Sequence, residues 1–288
     1  MPRTTIVVPC YNEAKRLDVD AFRGFAAENR AQRFLFVNDG SRDATGAVLD
    51  DLRRADPDAF TVHDLPRNVG KAEAVRCGLL HALADDPEFV GYWDADLATP
   101  LGAIPVFTAV LEARPELEMV FGARVRLLGR SIERRPVRHL LGRIFATAVS
   151  CALRISIYDT QCGAKLFRAT PEIVALFREP FATRWIFDVE ILARLIANRR
   201  AQGLTTTPES IYELPLTQWR DVPGSKVKPR DFARATLEFA TIYWKYLAPR
   251  RQPVLAAPPT EVQGIVKRPH FADESRRSFP DRTQADRP

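Results

Sequence analysis

Short apolar runs rich in β-branched and aromatic residues alternate with longer stretches of helical periodicity through the first 125 residues. The runs Thr5–Val8, Arg33–Val37, Phe60–His63, Phe89–Trp93 and Glu118–Gly122 predict strands, and the stretches 18–30, 43–54, 70–84 and 101–114 predict helices. Strand and helix in alternation predict an α/β fold, a mostly parallel sheet flanked by helices on both faces. Ligands bind such sheets beyond the carboxyl ends of the strands. Polar clusters fall at three of those ends: Tyr11-Asn12-Glu13 after the first strand, Asn38-Asp39-Gly40-Ser41 after the second, and Asp94-Ala95-Asp96 after the fourth. One shared site is the expectation.

Beyond residue 125 the pattern changes to helices and loops, with helices expected near 187–199 and 230–247. From 249 to 288 the chain carries seven of its 22 prolines and few periodic apolar residues. That composition predicts a disordered tail behind a single catalytic domain at 1–248.

At 288 residues with 46% hydrophobic and 27% charged content, the chain has material for a large core. The four cysteines form no C-x-x-C pair, and no two of the four histidines have metal-ligand spacing, so neither a zinc site nor a disulfide framework is readable. Net charge is only +6, but 123–154 holds eight arginines against one acid, Glu133. Such a patch calls for an anionic partner: phosphate, nucleic acid or an acidic lipid surface. Nucleic acid is disfavoured, because no aromatics interleave the arginines and no nucleic-acid motif is present.

The sequence opens straight into a strand, with no secretory leader expected. Leu140–Ile157 is the longest apolar-leaning run, yet Arg143 and Arg154 interrupt it, and a spanning helix needs ~20 mostly apolar residues. An interfacial amphipathic helix and a core-facing helix both remain open there. The expected location is cytoplasmic, peripheral at the membrane face.

The Asp94–Asp96 pair at a strand exit suits a hard divalent cation, since Mg²⁺ takes one or two carboxylates plus water and phosphate oxygens. Gly40, Ser41 and Asp43 are explained by turn and cap chemistry alone. An Asp39 carboxylate could accept from a base edge or ribose. Asp188 and Glu190 on one helix lie about 200° apart, so both cannot enter one site at equal depth. Asp188 either meets a helix N-terminus or acts on the donor sugar, as orienter or base. Lys71 reads equally as a solvated lysine at a helix start or a phosphate contact. Trp185 and Trp219 read as packing residues more readily than as sugar platforms.

In this order and spacing, Val-Pro-Cys-Tyr-Asn-Glu, Asn-Asp-Gly-Ser-Arg-Asp, Asn68-Val-Gly-Lys71 and Asp-Ala-Asp resemble the inverting family 2 glycosyltransferases of the GT-A fold. Asp159-Thr-Gln-Cys-Gly163, Lys165-Leu-Phe167, Arg184-Trp-Ile-Phe-Asp188-Val-Glu190 and Gly224-Ser-Lys226 are similar to the dolichyl-phosphate glucosyltransferase branch, kin to the polyprenyl-phosphate mannose synthases. The resemblance implies metal-dependent transfer of a hexose from a nucleotide-sugar to a polyprenyl phosphate at a membrane surface. UDP-glucose is the favoured donor and GDP-mannose the rival. A soluble acceptor is a further alternative.

By motif position, Pro9, Tyr11, Glu13 and Asp39 would hold the nucleoside, with Lys71 near its phosphates. Asp94 and Asp96 would carry Mg²⁺ or Mn²⁺, and Gln161 would lie beside the sugar. Arg220 and Lys226 would close over the phosphates. Arg124, Arg135 and Arg138 would take the acceptor phosphate. Two features depart from the family: the sequence has no membrane-spanning helix, and Ala72-Glu73 stands where small residues are usual.

Overall fold

A computed structural model describes residues 3–133, 136–204, 208–220 and 229–248. The chain divides into units 1–257 and 258–288, and the second lies outside the described residues. So does the tail expected from 249.

The strands β1 (Thr4–Cys10), β2 (Gln32–Asn38), β3 (Phe60–Asp64), β4 (Phe89–Trp93) and β5 (Met119–Ala123) lie where the apolar runs predict them. The helices α1 (Val19–Glu28), α2 (Thr45–Ala55), α3 (Lys71–Leu83) and α4 (Ile104–Ala113) fill the intervals. The main sheet has seven strands in the order β3-β2-β1-β4-β7-β5-β8, where β7 is Ala164–Arg168 and β8 is Ile211–Pro215. Every pairing is parallel except those of β7, which runs antiparallel to both β4 and β5. A small ribbon pairs β6 (Ser131–Glu133) with β9 (Gln218–Arg220).

These strands are nearly continuous in apolar residues because both faces are covered, and their alternation sorts residues between two cores. Ile6, Val8, Phe34 and Phe36 pack with Phe22, Leu49 and Phe107 of α1, α2 and α4. Val7, Leu35 and Val37 face the opposite way, with Val75 and Leu79 of α3. That second core also takes α6 (Pro171–Arg178), α7 (Phe187–Ala201) and the end of α8 (Pro229–Ile242). Asp18 caps α1 by accepting from the Ala21 N–H (3.0 Å), and Thr170 caps α6.

The sequence pattern misses β6 to β9 and α6. Strand β7 is short and carries Lys165 in its middle, which breaks the apolar signature of a central strand. The helix expected at 230–247 ends at Ile242 and continues as a π-helical turn, Tyr243–Leu247. Helix α5 (Pro136–Leu153) occupies the apolar-leaning run. Its Ala146, Val149 and Leu153 are buried, so this part is core-facing, the plainer of the two readings. No helix among the described residues is long and apolar enough to cross a membrane.

Candidate functional site

The polar clusters meet at the carboxyl ends of β1, β2 and β4. The turn after β1 is tied to the turn after β2. Asn12 N–H donates to Ser41 Oγ (3.1 Å), Asn12 Oδ1 accepts from the Arg42 N–H (2.8 Å), and Glu13 N–H donates to Thr45 Oγ1 (2.8 Å). Asn12 adopts φ +55°, a left-handed conformation that asparagine tolerates better than most residues. Tyr11 is half-buried beside this joint, and Pro9 is half-buried within β1.

Asp39 turns towards the 68–70 loop. Its Oδ1 accepts from the Val69 N–H (2.7 Å), and its Oδ2 from the Gly70 N–H (2.9 Å) and Asn68 Nδ2 (2.9 Å). Burial pushes the Asp39 carboxyl up, while the Val69 and Gly70 amides and Arg184 hold it down. Asp39 thus clamps the 68–70 loop. Gly40 lies so close to this loop that a Cβ would fall 2.4 Å from the Arg67 carbonyl carbon, and its φ is +60°. Arg184 Nη2 closes the loop from outside through Val69 O (3.1 Å).

That loop delivers Lys71 to the acidic pair. Its Nζ lies 2.5 Å from Asp94 Oδ1. Burial draws the Lys71 ammonium down, but Asp94, Asp188 and Asp96 outweigh it and the net direction is up. Arg16 Nη2 stands 3.7 Å from Asp96 Oδ2, with Nε 3.4 Å from Glu13. Burial and then the charge of Asp94 push the Asp96 carboxyl up, against the Ala98 N–H, Lys71 and Arg16. Two carboxylates that repel each other and draw a cation each are a place for positive charge. Among the described residues no group of three or more His, Cys, Asp or Glu side chains forms a metal cage. The donor set thus suits a hard cation completed by water and phosphate oxygens.

The reversed strand β7 brings the 159–163 loop onto this pair. Asp94 N–H donates to Gly163 O (2.9 Å), and a Cβ on Gly163 would stand 1.9 Å from Asp94 Oδ2. A side chain at this position would have to displace the Asp94 carboxylate. Gln161 lies on the same loop, and its Nε2 is buried with no hydrogen-bond partner among the described residues. Burial pushes the Cys162 thiol up to about 11, so that residue packs and does not act as a nucleophile. Glu213 on β8 holds the loop's start, accepting from the N–H groups of Tyr158 (2.7 Å) and Asp159 (2.8 Å).

Arg124 lies against the same loop. Its guanidinium grips Asp159 through Nε (2.6 Å) and Nη2 (2.7 Å), with the Trp219 ring 5.2 Å away. Burial lowers the Arg124 pKa and Asp159 raises it further, so the net direction is up. Arg124 thus secures the 159–163 loop through Asp159. Arg220 is exposed and its N–H reaches Ala98 O (3.2 Å), two residues past Asp96. A cavity of about 340 Å³ opens beside this turn, lined by Asp18, Leu97, Ala98, Trp219 and Arg220. Arg135 and Lys226 lie outside the described residues, as does the side chain of Arg138.

Asp188 is buried, and its Oδ1 accepts from Lys165 Nζ (2.6 Å) and from the Tyr92 hydroxyl. Glu190 points elsewhere, into a network with Arg194, Thr183 and Tyr246. Arg16, Tyr92 and Glu213 lie outside every motif quoted above, whereas Lys165 opens one of them and stands within the apolar run Ala164–Phe167.

Comparison with known proteins places these features in context. The profile described as "Glycosyl transferase family 2" matches residues 5–173. A dolichyl-phosphate beta-glucosyltransferase of Trichomonas vaginalis is 31% identical over 252 residues, covering 83% of this chain and 70% of that protein. The polyprenol monophosphomannose synthase of Mycolicibacterium smegmatis is 28% identical over 240 residues, covering 83% and 86%. Among solved structures, glucosyl-3-phosphoglycerate synthase from Mycobacterium tuberculosis, in complex with Mn²⁺, UDP-glucose and phosphoglyceric acid, superposes with a TM-score of 0.57 at 18% identity. That match covers 84% of this chain and 79% of the other, and shows the fold.

Proposed function

Since the chain belongs to glycosyl transferase family 2, we propose that it transfers glucose from UDP-glucose to a polyprenyl phosphate, with inversion and with the help of Mg²⁺ or Mn²⁺. The observation that carries the reading is the docking of the Gly163 loop on Asp94, with Lys71 and Arg16 drawn to the same carboxylate pair. Asp94 and Asp96 would hold the ion, which when bound supplies charge to a leaving diphosphate. Lys71 and Arg220 then add positive charge at the phosphates, and Gln161 meets the sugar. Pro9, Tyr11 and Glu13 line the nucleoside side, with Asp39 shaping it through the 68–70 loop.

A phosphate monoester has a second pKa near ~6, so at neutral pH it already carries a nucleophilic oxygen. It needs orientation rather than a base, in keeping with an Asp188 tied to Lys165. Backside attack by that oxygen turns an α-linked donor into a β-linked product. Arg124, Arg135 and Arg138 are the candidates for orienting the acceptor phosphate, and Lys226 for closing over the donor, all four on the sequence argument. Leu237 and Trp244, 72% and 70% exposed on α8 and the turn after it, together with Leu128, support a peripheral membrane surface as partner.

The test incubates the purified chain with radiolabelled UDP-glucose or GDP-mannose, a short polyprenyl phosphate and Mn²⁺. Label from UDP-glucose should enter the organic phase, and chelation of the metal should stop it. Lipid label from GDP-mannose alone would assign the mannose synthase reading, which the mycobacterial relative favours. Label passing only to water-soluble acceptors would overturn the lipid acceptor.

A further inference from the structure

Lys165 is fully buried in the middle of the sheet. Its ammonium makes three hydrogen bonds: to Thr160 O (3.0 Å), to Cys162 O (2.7 Å) and to Asp188 Oδ1 (2.6 Å). The rings of Phe121 and Tyr92 lie 4.9 and 5.4 Å away. Taking a lysine and an aspartate out of water costs several kcal/mol per ion, and apolar residues of similar size commonly serve a fold at least as well. The pair therefore asks for a reason beyond packing.

The bonding pattern supplies one. Two of the three bonds grip the carbonyls on either side of Gln161, whose own Nε2 is buried without a partner among the described residues. The third holds Asp188, on which the Tyr92 hydroxyl also converges. Tyr92 lies two residues before Asp94 on β4, and Gly163 touches the Asp94 carboxylate directly. One ammonium thus joins the backbone around an unpaired amide, the first turn of α7 and the strand that carries the acidic pair.

We propose that Lys165 is a positioning residue for the sugar of the donor: it fixes the Gln161 amide, and Asp188 behind it, against the Asp94 carboxylate. The proposal rests on the donor site described under Proposed function. Lys165 touches no substrate and acts through the loop it holds.

The experiment compares the full chain with a Lys165→Met/Asp188→Asn double variant, which leaves no buried charge without its partner, and with Gln161→Ala, which leaves the core untouched. Thermal melting checks the fold, calorimetry gives affinities for UDP and for UDP-glucose, and initial rates give kcat and KM. Both variants should bind UDP as the parent does and lose the extra affinity contributed by the glucosyl group. Their kcat should fall by about 100-fold, the scale expected when a reacting group is misplaced by an ångström.

A double variant with parental kcat and parental preference for UDP-glucose over UDP overturns the proposal. So does a Gln161→Ala variant that behaves as the parent, whether or not the double variant folds. Equal weakening of UDP and UDP-glucose, with kcat kept, also overturns it. A parent that binds and turns over no sugar nucleotide at all removes the underlying reading and the proposal together, a result distinct from the others.

Discussion

Helix α7 carries two buried acids in its first turn, and they have been put to different uses. Glu190 is enclosed on every side. It accepts from Arg194 Nε (3.1 Å) and Nη2 (2.8 Å), from the Tyr246 hydroxyl (2.9 Å), and from the N–H groups of Ala182 (2.9 Å) and Thr183 (2.9 Å). Arg194 spends its remaining donors on the carbonyls of Leu176, Glu179 and Pro180. This knot fastens the end of α6, the following loop and the π-helical turn to α7, away from the acidic pair. Asp188, two residues earlier, bonds only through Oδ1 among the described contacts, and its partners lead towards Asp94. The two acids differ in what they are connected to: Glu190 ties elements of the fold to one another, and Asp188 leads through Lys165 and Tyr92 towards Asp94.

Breaking the Glu190 knot should have the largest effect. Arg194→Met leaves a buried carboxylate without its partner and should cost about 3–5 kcal/mol of stability. Thermal melting should show a fall on the order of 10 °C, with transfer activity per folded molecule kept. Loss of specific activity with an unchanged melting temperature would erase the contrast drawn here. Asp96→Asn should do the opposite, lowering kcat by about 10²–10³-fold, roughly 3–4 kcal/mol of barrier, with little change in melting.

Glu213→Gln tests an intermediate case, because Glu213 belongs to β8 yet holds the start of the Gln161 loop. Loss of its charge-assisted bonds should cost about 1–2 kcal/mol, visible in melting and in a lower kcat together. The smallest effect should come from the far end of the sheet. There Arg199 bridges Glu172 (2.9 Å) and Glu118. Burial and the Glu172 charge push the Glu118 carboxyl above its ordinary value, so the folded chain holds that proton more tightly than the unfolded one. The stability this confers is complete below the ordinary glutamate value of 4.5 and is lost as pH rises through the folded value. Glu118→Gln should flatten that decline in a series of melting curves while leaving transfer activity alone.

What could be read from the sequence follows the reach of each interaction. Strands β1 to β5 were legible because the burial of both faces writes itself locally, in consecutive apolar residues such as Phe34 to Val37. The docking of the 159–163 loop on Asp94 joins two segments that motif order had already singled out. The interior commitments were not. Nothing beside Asp39 announces that its carboxylate folds back on the 68–70 loop, and nothing beside Arg124 announces Asp159, 35 residues away. A charged residue in a motif reads alike whether it faces substrate or another charge. Strand β7 was lost for a related reason: a lysine at its centre looks like a solvated position until three buried acceptors are found around it.

Because β7 alone runs against its neighbours, the rim where the parallel strands let the chain out is also the place where one strand takes it in. The 159–163 segment is therefore an arrival, anchored downstream by its own strand and upstream by β8 and Arg124. Its central residue, Gln161, is thus held between two fixed ends, Asp159 bonded to Arg124 and Gly163 seated on Asp94.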